Sequence, residues 1–190
     1  PPVFLNIESS QYFMAKVCQP FFDKDYFSTI KSEKPRILSQ ILDNLNKAAV
    51  IGFSHKDISE KLKNAWNKDV KHLVAYDEAQ DCAVAFREYC LNNNLLDFSL
   101  QMEIFFKSIQ QSFLIRQYLF DSFDYCLYDN CEEDTPLAHD LMIDWLPKFS
   151  GALIIYDQHA GYRSFLGADP KSALRLIESC SKSVEFNKPY

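Results

Sequence analysis

Tyr125-Cys126-Leu127-Tyr128-Asp129 and Gly151-Ala152-Leu153-Ile154-Ile155-Tyr156-Asp157 are two compact apolar runs, each ending in an aspartate. Between them lies a helical stretch, residues 137–145, closed by Pro147. Short apolar runs bounded by turn residues read as buried strands. Two strands joined through a helix form a β-α-β unit, whose strands run parallel and end on the same edge of a sheet. That edge is where open α/β sheets place their ligands, so Asp129 and Asp157 are expected to approach each other there. The competing role for a strand-end acid is to cap the helix that follows, and the residues alone leave both roles open.

Working outward, residues 170–180 form a last helix after the second strand. Val3-Phe4-Leu5-Asn6-Ile7, at the other end, reads as a buried strand, followed by a helix that Ser9 or Ser10 caps. The hundred or so residues between are helical. From Pro35, the set Ile37, Leu38, Ile41, Leu42, Leu45, Ala48 and Ala49 keeps the 3.6-residue period. Ser54 and Asp57 fit a capping box, and Asn92-Asn93-Asn94 stops a further helix. The expected class is α/β, predominantly helical: a partial parallel sheet with a large inserted helical subdomain. Residues 1–20 start the sheet part, 21–121 form the insertion, and 122–190 return to the sheet as β-α-β-α.

Composition narrows the chemistry. The chain has 190 residues, 47% hydrophobic and 24% charged, enough for a globular core. Only four glycines occur (Gly52, Gly151, Gly161, Gly167) and none precedes a lysine, so neither a GxxxxGK[ST] phosphate loop nor a GxGxxG fingerprint is present. Twenty basic against twenty-six acidic residues give a net charge of −6, opposite to the usual balance of an isolated nucleic-acid-binding domain. The six cysteines contain no CxxC pair and read as reduced, mostly buried thiols of a cytoplasmic protein. Neither a signal peptide nor an apolar run of about 18 residues occurs, which argues against a membrane. The start at Pro1-Pro2-Val3, without Met, is expected of a piece of a longer protein.

Three motifs compete for a functional role. Asp77-Glu78-Ala79-Gln80-Asp81 spells a helicase-type acidic box, yet Ala75, Ala79, Cys82, Phe86 and Cys90 run a helical stripe through it. Catalytic acids of that type belong at a strand end, so the motif is expected on a solvated helix face. Asp129-Asn130-Cys131-Glu132-Glu133-Asp134-Thr135 does follow a strand. Asp157 through Pro170 then places Tyr162, Arg163 and Phe165 on a glycine-flanked loop, a pattern suited to stacking on bases and pairing with phosphates. His55, His72, His139 and His159 form no zinc spacing, and His139-Asp140 is expected at the surface.

In order and spacing these segments resemble the UvrD/PcrA/Rep-like superfamily 1 DNA helicases. Phe4 to Met14 (FLNIESSQYFM) is similar to the family's T-F-H-S-x-A strand-to-helix motif, and Asn93 to Leu100 (NNLLDFSL) to its N-x-L-D-F-D-D-L segment. Tyr128 to Thr135 falls where V-D-E-x-Q-D-T is expected. Tyr156 to Pro170 falls where G-D-x-x-Q-S-I-Y-x-F-R-G-A-D is expected, with Phe165-Leu166-Gly167-Ala168-Asp169-Pro170 the most specific match. The resemblance implies that the partial parallel sheet is RecA-like, with ATP and Mg²⁺ in the complete protein and single-stranded DNA as its partner. By it, Asp129 holds the metal, Glu132 or Glu133 positions water, and Asp157 neighbours the ATP site. Tyr162 and Phe165 stack on bases, while Ser9, Ser10 and Arg163 contact phosphates.

Several positions depart from the family. The acidic motif is one residue longer, Ala160 stands where the family has Gln, Arg163 where it has Tyr, and Leu166 where it has Arg. The phosphate loop and the second motor domain would lie outside these residues, so the chain alone is not expected to hydrolyse ATP. The alternative expectation is an inactive helicase-derived scaffold that binds a protein partner through its helical part.

Overall fold

The computed structural model describes residues 1–66 and 70–186; the side chains of residues 70, 71 and 165 also lie outside the description. The chain divides into two units, Pro1–Ser108 and Ile109–Tyr190.

In the first unit, β1 (Val3–Phe4) leads into α1 (Ile7–Phe22), followed by α2 (Lys34–Ile51), α3 (Ile58–Ala65), α4 (Val70–Asn92), β2 (Leu95–Leu96) and α5 (Phe98–Ile104). The start of α1 is set by Asn6, whose Oδ1 accepts the Ser9 amide at 2.8 Å, so the cap is Asn6 rather than either serine. Pro35 sits in the first turn of α2, and Gly52 ends it in the left-handed region at φ 93°, the conformation that favours glycine. The expected stripe of α2 is largely buried: Ile37, Ile41, Leu42, Leu45 and Ala48 pack with Met14, Cys18, Cys82, Phe86 and Cys90 of α1 and α4. Full burial of each such Leu, Ile or Phe contributes about 1.5–3 kcal/mol. Burial also pushes the Cys90 thiol up to about 12, which keeps it protonated and inert.

β1 does not behave as a buried strand. It is two residues long, exposes Val3 and Phe4, and pairs in parallel with β2, Val3 opposite Leu95 and Phe4 opposite Leu96. Below this pair lies a polar anchor. Arg87, 4% exposed, donates to Asp97 Oδ1 at 3.2 Å and to Ser99 Oγ at 2.8 Å, while Asp97 caps α5 by accepting the Leu100 amide. Burying a guanidinium is tolerated only with such pairing.

The second unit contains α6 (Phe113–Ser122), β3 (Tyr125–Tyr128), α7 (Pro136–Trp145), β4 (Gly151–Ile154) and the short α8 (Pro170–Ala173). β3 and β4 pair in parallel with Tyr125 opposite Gly151 and Tyr128 opposite Ile154. Gly151 lets the Tyr125 ring approach: a Cβ there would lie 3.2 Å from the ring. One side of the pair packs Cys126, Tyr128 and Ile154 onto Leu146, Ala173 and Leu176. The other leaves Tyr125, Leu127 and Leu153 exposed. The described residues form a predominantly helical α/β architecture with two parallel strand pairs. Among the described residues no helix is long and apolar enough to cross a membrane.

Candidate functional site

The parallel register of β3 and β4 carries Asp129 and Asp157 to the same edge of their sheet. The ladder continues past the strands: Ile155 N–H donates to Tyr128 O at 2.8 Å, and Cys131 N–H donates to Ile155 O at 3.2 Å. Between them Asn130 adopts the left-handed conformation at φ 52°, one of the few non-glycine types that does so readily. This reversal starts a 3-10 turn at Cys131–Glu133 and turns the following acids back toward β4.

Each of the three consecutive acids then holds a different piece of chain. Glu132, 1% exposed, accepts the backbone N–H of Asp157 at 3.1 Å. Glu133 pairs with Arg163, its Oε2 lying 3.1 Å from Nε. Asp134 accepts the Tyr128 hydroxyl at 2.9 Å, and its carbonyl accepts the Asp169 amide at 3.0 Å. Burial and the Asp134 carboxylate push the Tyr128 phenol well above its ordinary value, so it stays a donor. Burial, with Glu132 adjacent, likewise pushes the Cys131 thiol up to about 11, so it is a protonated filler and not a nucleophile.

The two strand-end acids are exposed and each supports its own turn. Asp129 Oδ1 accepts the Asn130 amide, and Asp157 Oδ1 accepts the His159 amide, both at 2.9 Å. Both roles that the sequence left open therefore coexist: the acids share one edge and stabilise local turns. Tyr162 is exposed on a 3-10 turn, Tyr162–Leu166, bracketed by Gly161 and Gly167, both at φ 99°. Gly161 is required twice over, because a Cβ would also fall 2.5 Å from Pro170 Cγ. The Phe165 side chain lies outside the described residues. Ser9 and Ser10 belong to the first unit. The Ser9 hydroxyl is engaged with Asn6 Oδ1, and Ser10 is buried.

One expectation is corrected. His139 is not at the surface: it is fully buried, with Nε2 2.7 Å from Cys131 O. A carbonyl can only accept, so Nε2 carries the proton, and the imidazole pins the backbone immediately before Glu132. The signal for it was the Thr135-Pro136 helix start, which turns position 139 inward one turn later; Thr135 accepts the Ala138 amide. The Asp77–Asp81 pentad lies on a helix face as expected, with Asp77 and Asp81 exposed, and its side chains also make tertiary contacts. Glu78 accepts the Phe27 amide at 2.8 Å, Asp81 accepts the Tyr26 hydroxyl at 3.0 Å, and Asp77 accepts the Ser59 hydroxyl at 2.8 Å. Gln80 accepts the Ser59 amide and donates to His55 O. These side chains staple α4 to the start of α3 and to the loop after α1, which holds Phe27 at the strained φ of 65°.

Among the described residues no group of three or more His, Cys, Asp or Glu side chains is arranged to hold a metal ion by itself. Mg²⁺ needs less: it is commonly bound through one or two carboxylates together with substrate phosphates. Exposed Asp129 at the strand end fits that role, whereas buried Glu132 is occupied by Asp157 N–H. No protein-family model matches the chain, and no curated protein matches it.

Proposed function

We propose that this chain is part of a UvrD-like, ATP-dependent DNA helicase or translocase, contributing one edge of the Mg-ATP site and part of the path of single-stranded DNA. The reading joins the sequence resemblance to one observation, the parallel β3–β4 pair that carries Asp129 and Asp157 to a common edge with Glu132 locked between them. The parent fold in this reading is RecA-like, with β3 and β4 as two strands of its sheet.

The roles follow from what each side chain has free. Asp129 is the carboxylate available to Mg²⁺, which, bound with ATP, neutralises charge on the phosphates. Glu132 is consumed as a buried strut that fixes the backbone of Asp157. Glu133 faces the Arg163 loop and is the acid left to orient a water. Tyr162 presents a ring for a base, and Arg163 offers its remaining guanidinium donors to a phosphate. Phe165 is the second stacking residue by resemblance.

The test is DNA-stimulated ATP hydrolysis by the complete protein. Asp129→Ala should abolish it with the fold intact, and unchanged turnover would remove the metal role. The second reading, a helicase-derived scaffold without catalysis, is favoured by the same strut: Glu132 is too buried and too fully engaged to reach a water. Absence of ATP hydrolysis together with retention of a protein partner on the helical unit would select it.

A further inference from the structure

In the first unit a cavity of about 250 Å³ opens between the start of α1, one face of α2, and the β2–α5 junction. Ser39, Asp43 and Asn46 line it at spacings of four and three, which places them in one row along α2. The opposite face of that helix carries the core residues Ile41, Leu45 and Ala48. Across from the row stand Leu5 and Phe98, with Ser10 at the base.

The polar groups are unspent. Ser10 is only 7% exposed, yet its hydroxyl has no hydrogen-bond partner among the described residues, and the same holds for the side chains of Ser39, Asp43 and Asn46. The Ser10 hydroxyl opens onto the cavity and Asp43 is exposed, so a ligand seated there can reach both. Asp97 also borders the cavity, but Arg87 and the Leu100 amide already occupy it. Asp43 is the carboxylate that remains without a cation.

The cavity thus offers a carboxylate flanked one helical turn to either side by a hydroxyl and an amide oxygen, over an apolar wall. An acidic centre of this kind repels phosphate. A guanidinium matches it: planar, permanently charged, with five donors, and carried on a stem that can lie along Leu5 and Phe98. We propose that this cavity seats an arginine side chain of a protein partner. The site lies on the helical unit and is independent of the ATP and DNA roles assigned to the second unit.

The test is a titration of the isotope-labelled chain, following the backbone amide resonances of Ser10, Ser39, Asp43 and Asn46. The probes are N-acetyl-arginine amide, N-acetyl-lysine amide and an oligothymidylate. The arginine amide should shift these resonances saturably and bind at least about threefold tighter than the lysine amide, because the fork meets several acceptors at once. Asp43→Asn should weaken it about tenfold or more while leaving the rest of the spectrum in place. As Asp43 holds no partner in the fold, this variant should fold; Asn46→Leu, which narrows the cavity, should also weaken binding. No saturable shift, equal affinity for Asp43→Asn, or displacement of these resonances by the oligothymidylate but not by the arginine amide would overturn the proposal.

Discussion

The Glu132 carboxylate accepts the backbone N–H of Asp157 at 3.1 Å while remaining 1% exposed, so the acidic loop after β3 is clamped to the segment after β4. That bond separates two neighbouring glutamates that look equivalent in sequence. One is a strut and the other faces solvent and Arg163.

If Glu132 is a strut, its loss is felt locally. Glu132→Ala should destabilise the second unit by about 1–3 kcal/mol, the range for leaving a buried partner unsatisfied. Glu132→Gln keeps an acceptor oxygen and should cost clearly less. Amide exchange at Asp157 reads this directly: it should accelerate in the alanine variant and change little in the glutamine variant.

The Glu133–Arg163 pair predicts a competition. With Arg163 63% exposed, the ion pair is weakly held. A phosphate oxygen can therefore displace Glu133 from the guanidinium. Glu133→Gln should tighten oligothymidylate binding about two- to fivefold at low salt, in line with the small value of exposed ion pairs. In an Arg163→Ala background the same change should have no effect. Fluorescence anisotropy of a labelled oligonucleotide checks both.

The α4 pentad should behave as a staple. Glu78→Ala removes the acceptor for the Phe27 amide and should lower stability by about 1–3 kcal/mol, measured by denaturant unfolding. It should leave oligonucleotide binding unchanged, which a catalytic or DNA-contacting acid would not.

Stability should also depend on pH through His55. Burial and the Arg87 charge lower its proton affinity below the ordinary value of 6.5, although Glu103 partly opposes them. The unfolded chain therefore binds a proton more readily than the folded one. The contribution of His55 is fully present above about pH 6.5 and is lost as the pH falls through the depressed folded value. Thermal unfolding of the first unit should fall between pH 7.5 and 5.5, and His55→Gln should flatten that fall.

How much of this could be read from the residues varies by element. The stripe of α2, the strand at 125–128 and the strand beginning at Gly151 were legible because their periods are strong and proline or glycine marks their boundaries. The common edge for Asp129 and Asp157 followed from the parallel connection alone. The cap of α1 was misplaced because Asn6, Ser9 and Ser10 are all good caps, and the choice among them depends on where β1 ends. β1 read as buried from its apolar letters, but only its pairing with Leu95–Leu96 determines what covers it. The burial of His139 and the partners of the α4 pentad left no periodic trace, because a carbonyl eight residues away and segments outside α4 are tertiary partners.

Binding of single-stranded DNA by this chain tests the account most directly, because it asks whether the loop held by the acidic turn meets a nucleic acid. A labelled oligothymidylate should bind at low ionic strength, weaken steadily as salt rises, and lose about three- to tenfold in affinity with Arg163→Ala or Tyr162→Ala. No binding at low salt, or binding indifferent to both substitutions, would contradict it.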